Sequence, residues 1–248
     1  MFGTALLSVG LPLASLFGGF MGSNLTGKGI VLIQLACSIV AAAIIIGKNK
    51  ELASMMRRNR LFSKEFTSGR DVLDYYLLRK SGIFVSLELI YMRTCTRMVN
   101  LLDPDLRRSV IGRQSAAAGA ALTAREIELA RSTCEHTVQE EELRIEHGMG
   151  LLATIVTASP MLGLLGTVWG VLDAFADMGS KGTVLLSVIA PAISSALVTT
   201  VVGLLVAIPS VIFYNNLAAK VRQLSTDMDG FADELMGRIA CEFQGRVD

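Results

Sequence analysis

GMGLLATIVTASPMLGLLGTVWGVL, residues 148–172, contains no charged side chain and is long enough to cross a bilayer. A hydrocarbon core of about 30 Å needs roughly 20 residues in an α-helix. After a short polar stretch at 173–183, residues 184–213 form a second uncharged segment of 30 residues. We therefore predict two transmembrane helices, joined by a polar turn too short to be a domain.

A third apolar stretch lies near the N-terminus. Residues 29–47 carry no charge over 19 residues and follow Lys28. A buried helix of a soluble domain is the alternative, but the uncharged length and the many β-branched residues favour a membrane span. The predicted transmembrane helices are therefore 28–47, 148–172 and 184–213.

The remaining charges are concentrated in one long segment. The chain of 248 residues is 52% hydrophobic and 18% charged, too apolar for an ordinary soluble domain and too charged for a chain wholly inside lipid. Residues 48–147 hold 17 of the 23 Lys and Arg and contain a single proline, Pro104. We predict an all-α integral membrane protein with three transmembrane helices and long cytoplasmic helical extensions, a helical domain at 48–147 and a C-terminal helix at 214–248.

Basic residues near the span ends predict the orientation, because cytoplasmic flanks carry an excess of Lys and Arg. They cluster after the first and third spans: Lys48, Lys50, Arg57, Arg58, Arg60, Lys220 and Arg222. The 173–183 turn has Lys181 as its only basic residue, and residues 1–27 contain no Lys or Arg, so we expect both to lie on the outer side. Residues 1–27 also lack the basic start of a signal peptide, so we predict an interfacial segment on the outer side.

Catalytic and metal-binding patterns are missing from the sequence. The four cysteines form no CxxC pair, and Cys134 and His136 lie two residues apart, which points them to different faces of a helix. There is no GxSxG elbow and no phosphate-binding GxxxxGK[ST] loop. We therefore expect no enzymatic activity, metal site, cofactor or nucleic-acid partner.

Small residues recur on one face of the second and third spans. Gly166 and Gly170 form a GxxxG motif, which Pro160 and Gly163 precede. The third span has small residues at four-residue steps: Ser195, Thr199, Gly203 and Ala207. Small residues let helix backbones approach closely in lipid, so we predict that these two faces are helix-packing surfaces.

Each of these spans also carries one threonine in an otherwise apolar stripe. Thr167 shares its stripe with Pro160, Leu164 and Val171, and Thr200 shares its own with Ile189, Ile193, Leu197, Leu204 and Ala207. Two interpretations stay open from spacing alone. Each hydroxyl either bonds a carbonyl of its own helix one turn back, or it faces a functional pore.

Two segments resemble a known family. The second span has LLAT at 151–154, SPMLGLLGTVWG at 159–170 and Ala174-Phe175, which are similar to a signature of the ExbB/TolQ proteins, relatives of the flagellar stator subunit MotA. The third span resembles the family's other signature through Ala190-Pro191, Ala196-Leu197, Thr200, Gly203-Leu204, Val206-Ala207-Ile208-Pro209 and Tyr214-Asn215. The resemblance is specific over 148–217, whereas elsewhere only topology and helical character agree.

The resemblance implies a multi-pass subunit of the bacterial inner membrane, with a periplasmic N-terminus and a cytoplasmic C-terminus. It implies a homopentamer, embedded in membrane lipids, whose second and third spans line a pore. Thr167 and Thr200 match the family's pore-facing threonines. An ExbD/TolR-like single-span partner would supply a membrane aspartate, and the proton motive force would then drive envelope transport or mechanical work. A TonB- or TolA-like protein is a further expected partner, and the client system stays open.

One position departs from the family, because many ExbB and TolQ sequences have a glutamate where this chain has Ser195. Residues 148–172 and 184–213 contain no Asp, Glu, Lys, Arg or His. Proton relays in membranes use ionisable side chains, so another chain must supply the titrating group. The alternatives are a passive scaffold that anchors a single-span partner, and a solute permease, against which the missing polar contacts argue.

Overall fold

The computed structural model describes residues 25–69, 71–78, 84, 86–102, 104, 107, 122–181 and 186–243. These residues are almost entirely helical and include no β-strand. The helices are α1 (Leu25–Ser68), α2 (Asp74–Leu78), α3 (Leu87–Leu101), α4 (Ala124–Glu146), α5 (Met149–Lys181) and α6 (Leu186–Phe243). The predicted all-α class is confirmed.

Three helices are long and apolar enough to cross a membrane. α1 contains the first predicted span, α5 contains residues 149–172 of the second, and α6 contains residues 186–213 of the third. The number of predicted spans is therefore confirmed. Residues 1–24 of the predicted interfacial segment lie outside the described residues.

The connection between the second and third spans differs from the predicted polar turn over 173–183. α5 continues as a helix to Lys181, eight residues beyond the first charged residue, Asp173. The uncharged stretch indicates which part of a helix can lie in lipid, but an α-helix can continue through polar residues beyond it. The turn prediction is therefore wrong for residues 173–181.

The described residues divide into two compact units. Residues 25–47 and 148–217 form one, here called the membrane unit, and residues 48–147 with 218–243 form the other, here called the helical unit. The C-terminal part of α6 thus belongs with the predicted domain at 48–147. Gly148, with φ +84°, lies between α4 and α5, and glycine adopts this left-handed conformation without strain.

Five aromatic rings form the centre of the helical unit. The Phe62 ring lies 5.1 Å from Tyr75 and 5.6 Å from Phe231, centroid to centroid. Tyr91 is fully buried, and its ring lies 5.7 Å from that of Phe66. Aromatic side chains bury large apolar areas, so this cluster joins α1, α2, α3 and α6 in one core.

The start of α4 is fixed by a capping box. The Thr123 hydroxyl accepts a hydrogen bond from the Glu126 backbone N–H at 3.3 Å, and the Glu126 carboxylate accepts one from the Thr123 N–H at 2.8 Å. The bonds from the Thr123 backbone and hydroxyl lower the pKa of the Glu126 carboxyl. Two backbone donors that the helix leaves unpaired are satisfied in this way.

We expect Thr123→Ala to lower the unfolding free energy of the helical unit by about 1 kcal/mol, because the cap is lost. Hydrogen exchange at the Glu126 and Ile127 amides should accelerate. Thr133→Ala is the matched control, since the Thr133 hydroxyl only bonds the Leu129 carbonyl of its own helix. Equal exchange rates in the two variants would contradict the capping account.

Candidate functional site in the membrane unit

α5 and α6 touch through glycines. A Cβ placed on Gly166 would lie 2.7 Å from the Cβ of Thr199, and one placed on Gly170 would lie 2.6 Å from the Cβ of Ala196. The higher-numbered glycine on α5 meets the lower-numbered residue on α6, so the two helices run antiparallel. No side chain fits at either glycine, because real Cβ atoms do not approach other atoms closer than about 3 Å.

The other predicted packing residues on α6 are placed at the same interface or in the interior. Gly203 faces the Ser159 carbonyl oxygen, which an added Cβ would approach to 2.6 Å. Ser195, Thr199 and Ala207 are buried. The Ser195 hydroxyl donates to the Ala192 carbonyl at 2.8 Å, so it is engaged within its own helix.

Pro160 and Gly163 lie one turn apart on α5. Pro160 is half-buried inside the helix and has no N–H to donate to the preceding turn. An added Cβ on Gly163 would lie 2.8 Å from the Thr200 Cα and 3.0 Å from the Thr199 carbonyl oxygen. The absence of a side chain at Gly163 therefore brings the two backbones together at this level.

Two hydroxyl groups of α6 lie within hydrogen-bond distance of the Gly163 carbonyl oxygen. Thr200 Oγ1 donates to it at 2.9 Å, and Thr199 Oγ1 donates to it at 3.0 Å. Thr199 Oγ1 also lies 2.7 Å from the Ala196 carbonyl oxygen. A threonine hydroxyl has one hydrogen, so Thr199 divides it between two acceptors.

The two threonines of the apolar stripes behave differently. Thr167 Oγ1 donates to the Leu164 carbonyl of its own helix at 2.7 Å, which matches the first of the two interpretations. Thr200 donates across the interface to Gly163 instead. The α-helical pattern pairs the Thr167 N–H with the same Gly163 carbonyl, so this carbonyl links both threonines.

The stripes that carry Thr167 and Thr200 lie on a surface that this chain does not cover by itself. Both threonines are half-buried. Three leucines of the stripes are more exposed, Leu164 at 61%, Leu197 at 56% and Leu204 at 42%. Such a surface is available to lipid, to another copy of the chain or to a partner helix.

Gln34 on α1 completes the site and was missed in the sequence. It is fully buried, and its Nε2 donates to the Ser159 carbonyl at 3.3 Å and to the Thr199 carbonyl at 3.2 Å. Two carbonyl acceptors on one side fix the orientation of the amide. Gln34 thus ties α1 to both α5 and α6. The available signal was a single amide side chain within the apolar stretch 29–47.

The chain is similar to proteins that are already known. Residues 108–230 match the model of the MotA/TolQ/ExbB proton channel family. The chain is 30% identical over 220 residues to the Tol-Pal system protein TolQ of Haemophilus influenzae, covering 87% of this chain and 89% of that protein.

Shorter matches have higher identity. The chain is 39% identical over 97 residues to the Tol-Pal system protein TolQ of Pseudomonas aeruginosa, covering 39% of this chain and 42% of that protein. It is 41% identical over 96 residues to the biopolymer transport protein ExbB of Neisseria gonorrhoeae, covering 39% of this chain and 44% of that protein. Each of these two matches spans less than half of either protein.

We expect Gly166→Ala to lower the unfolding free energy of the membrane unit by about 1–3 kcal/mol, because the new methyl group overlaps Thr199. Gly150→Ala is the control on the same helix, since an added Cβ there meets no atom within 4 Å. Thermal unfolding in detergent measures both. The close-packing account is contradicted if Gly166→Ala is as stable as Gly150→Ala.

Proposed function

Because the chain belongs to the MotA/TolQ/ExbB proton channel family, we propose that it is the proton-channel subunit of a stator-type motor. In this proposal it acts with an ExbD/TolR-like partner and uses the proton motive force to drive envelope transport or mechanical work. It lies in the bacterial inner membrane with a periplasmic N-terminus and a cytoplasmic C-terminus. It is a membrane protein with a transport-type role rather than an enzyme.

The observation that carries the proposal is the shared Gly163 carbonyl. It holds the Thr200 hydroxyl at 2.9 Å, on a half-buried stripe bordered by exposed leucines. A hydroxyl in this position can orient water or a carboxyl group, although it cannot hold a proton near neutral pH. The spans carrying Thr167 and Thr200 contain no Asp, Glu, Lys, Arg or His over residues 148–172 and 184–213.

The titrating group is therefore proposed to be an aspartate on the single span of the partner. In a pore with little water, the neutral acid is favoured by desolvation, and the charged form needs hydrogen-bond donors. Thr167 and Thr200 are the candidates to contact that aspartate. Each proton that crosses 100 mV releases roughly 2.3 kcal/mol, enough to bias rotation or displacement of the partner helix.

A homo-oligomer, with five copies as the working number, accounts for the exposed stripes. Leu164 on α5 and Leu197 on α6 expose more than half of their surface beside the two threonines. Several copies arranged around one axis would bring these stripes to a common pore that encloses the partner helices. The remaining apolar surface would face lipid. A TonB- or TolA-like protein would then receive the work.

We expect Thr200→Val to lower proton flux at least about tenfold, because a hydrogen bond to a charged group is lost where water is scarce. The variant would be purified with the ExbD/TolR-type protein of the same organism and assayed in liposomes. Thr200→Ser should retain flux. Thr157→Val is the control, since the exposed Thr157 hydroxyl bonds only its own helix.

Whether the Thr200→Val complex assembles distinguishes the proposed motor subunit from a passive scaffold. The stator account requires that Thr200→Val forms the complex and loses flux. A scaffold predicts no flux in any sample, or loss of the complex itself when Thr200 is replaced.

A further inference from the structure

The Thr199 and Thr200 hydroxyls carry one hydrogen each, and the acceptors within reach are the Gly163 and Ala196 carbonyls. Each of these carbonyls also accepts a backbone N–H of its own helix. The α-helical pattern gives the Gly163 carbonyl the Thr167 N–H and gives the Ala196 carbonyl the Thr200 N–H. Thr200 reaches only Gly163 across the interface, at 2.9 Å, whereas Thr199 lies 3.0 Å from Gly163 and 2.7 Å from Ala196. A carbonyl oxygen has two lone pairs, and the Thr167 N–H occupies one of them, so Gly163 accepts one hydroxyl hydrogen at a time. The hydrogens can therefore be arranged in two ways without moving any heavy atom.

In the first arrangement Thr200 donates to Gly163 and Thr199 donates to Ala196. In the second, Thr199 donates to Gly163, and the Thr200 hydrogen is free to point elsewhere. Both arrangements leave the Gly163 carbonyl with one hydroxyl donor. Thr199 is 1% exposed, so bulk water does not compete for its hydrogen.

We propose that Thr199 is a positioning residue, a second donor to the Gly163 carbonyl that releases the Thr200 hydroxyl to bond a carboxylate in the pore. The inference rests on the proposed function, because it assumes that the carboxyl group of a partner lies beside Thr200. Thr199 never touches that group. It acts by replacing Thr200 at Gly163.

The two arrangements suit the two protonation states of a carboxyl group. A neutral acid has a proton to donate, and Thr200 can accept it while its own hydrogen stays on Gly163. A carboxylate only accepts, so Thr200 must donate to it. The Thr199 and Thr200 hydroxyl hydrogens would then turn together as the carboxyl group gains and loses its proton, with no change of rotamer.

No charged side chain of this chain's own spans is present to override that response. The uncharged stretches 29–47, 148–172 and 184–213 contain no Asp, Glu, Lys, Arg or His, and Cys37 is the one thiol among them. The Thr200 hydroxyl is thus an uncharged donor through which this chain can favour the ionised form of the partner's carboxyl group.

The test is proton flux through liposomes holding the complex with the ExbD/TolR-type protein, driven by a fixed membrane potential over a series of pH values. Thr199→Val keeps the shape of the side chain that packs on Gly166 but removes the hydroxyl. We expect the complex to assemble and flux at neutral pH to fall roughly tenfold. The pH of half-maximal flux should rise by about one unit, because the carboxylate loses a donor and gives up its proton less readily.

Thr199→Ser keeps the hydroxyl and should restore both the flux and its pH profile. Wild-type flux and profile in Thr199→Val would overturn the inference. So would an equal loss in the Val and Ser variants with an unchanged profile, or failure of Thr199→Val alone to assemble, because each points to a packing role.

Thr200→Val distinguishes this failure from failure of the proposed function. If Thr200→Val conducts like the wild type, the proposed function itself is wrong. If Thr200→Val is inactive while Thr199→Val is normal, the proposed function stands and only the role of Thr199 is lost.

Discussion

The close approach of α5 and α6 at Gly163 is the constraint on which the membrane unit depends. A Cβ on this residue would lie 2.8 Å from the Thr200 Cα, so any side chain would push the helices apart. The same approach brings the Thr199 and Thr200 hydroxyls onto one carbonyl at 3.0 and 2.9 Å. In lipid, where helices gain little from burying apolar surface, such packing and hydrogen bonding hold a helix pair together.

The side chains of the spans limit what the chain can do chemically. Its second and third spans offer hydroxyls and carbonyls but no side chain that titrates near neutral pH. A pore built from such spans can orient a proton-carrying group and cannot replace it. Gln34 donates hydrogen bonds to the carbonyls of Ser159 and Thr199, so the first span stabilises the contact between α5 and α6. These features fit the proposed function, in which a partner protein supplies the titrating group.

The sequence predicted the features that depend on local patterns. Uncharged length identified the three spans, and four-residue spacing predicted packing faces that include Gly166 and Gly170. It did not predict the contacts that depend on which helices become neighbours. Gln34 was overlooked because a single amide side chain in an apolar stretch forms no periodic pattern. Its two acceptors lie 125 and 165 residues away in the sequence.

Other differences have the same origin. Thr167 and Thr200 occupy equivalent places in their stripes, yet one hydroxyl bonds its own helix and the other bonds Gly163. Spacing on one helix cannot distinguish these outcomes. The extension of α5 to Lys181 was missed because hydropathy reports the suitability of a segment for lipid rather than the end of a helix. The aromatic core of the helical unit draws Phe62, Tyr91 and Phe231 from three separate helices, which no local pattern connects.

Proton flux into liposomes tests the central claim most directly. The samples are this chain alone, the chain with the ExbD/TolR-type protein of the same organism, and the same complex with the partner's membrane aspartate replaced by asparagine. The account predicts flux only in the complex with the intact aspartate. Equal flux from this chain alone, or undiminished flux after the aspartate is replaced, would contradict it.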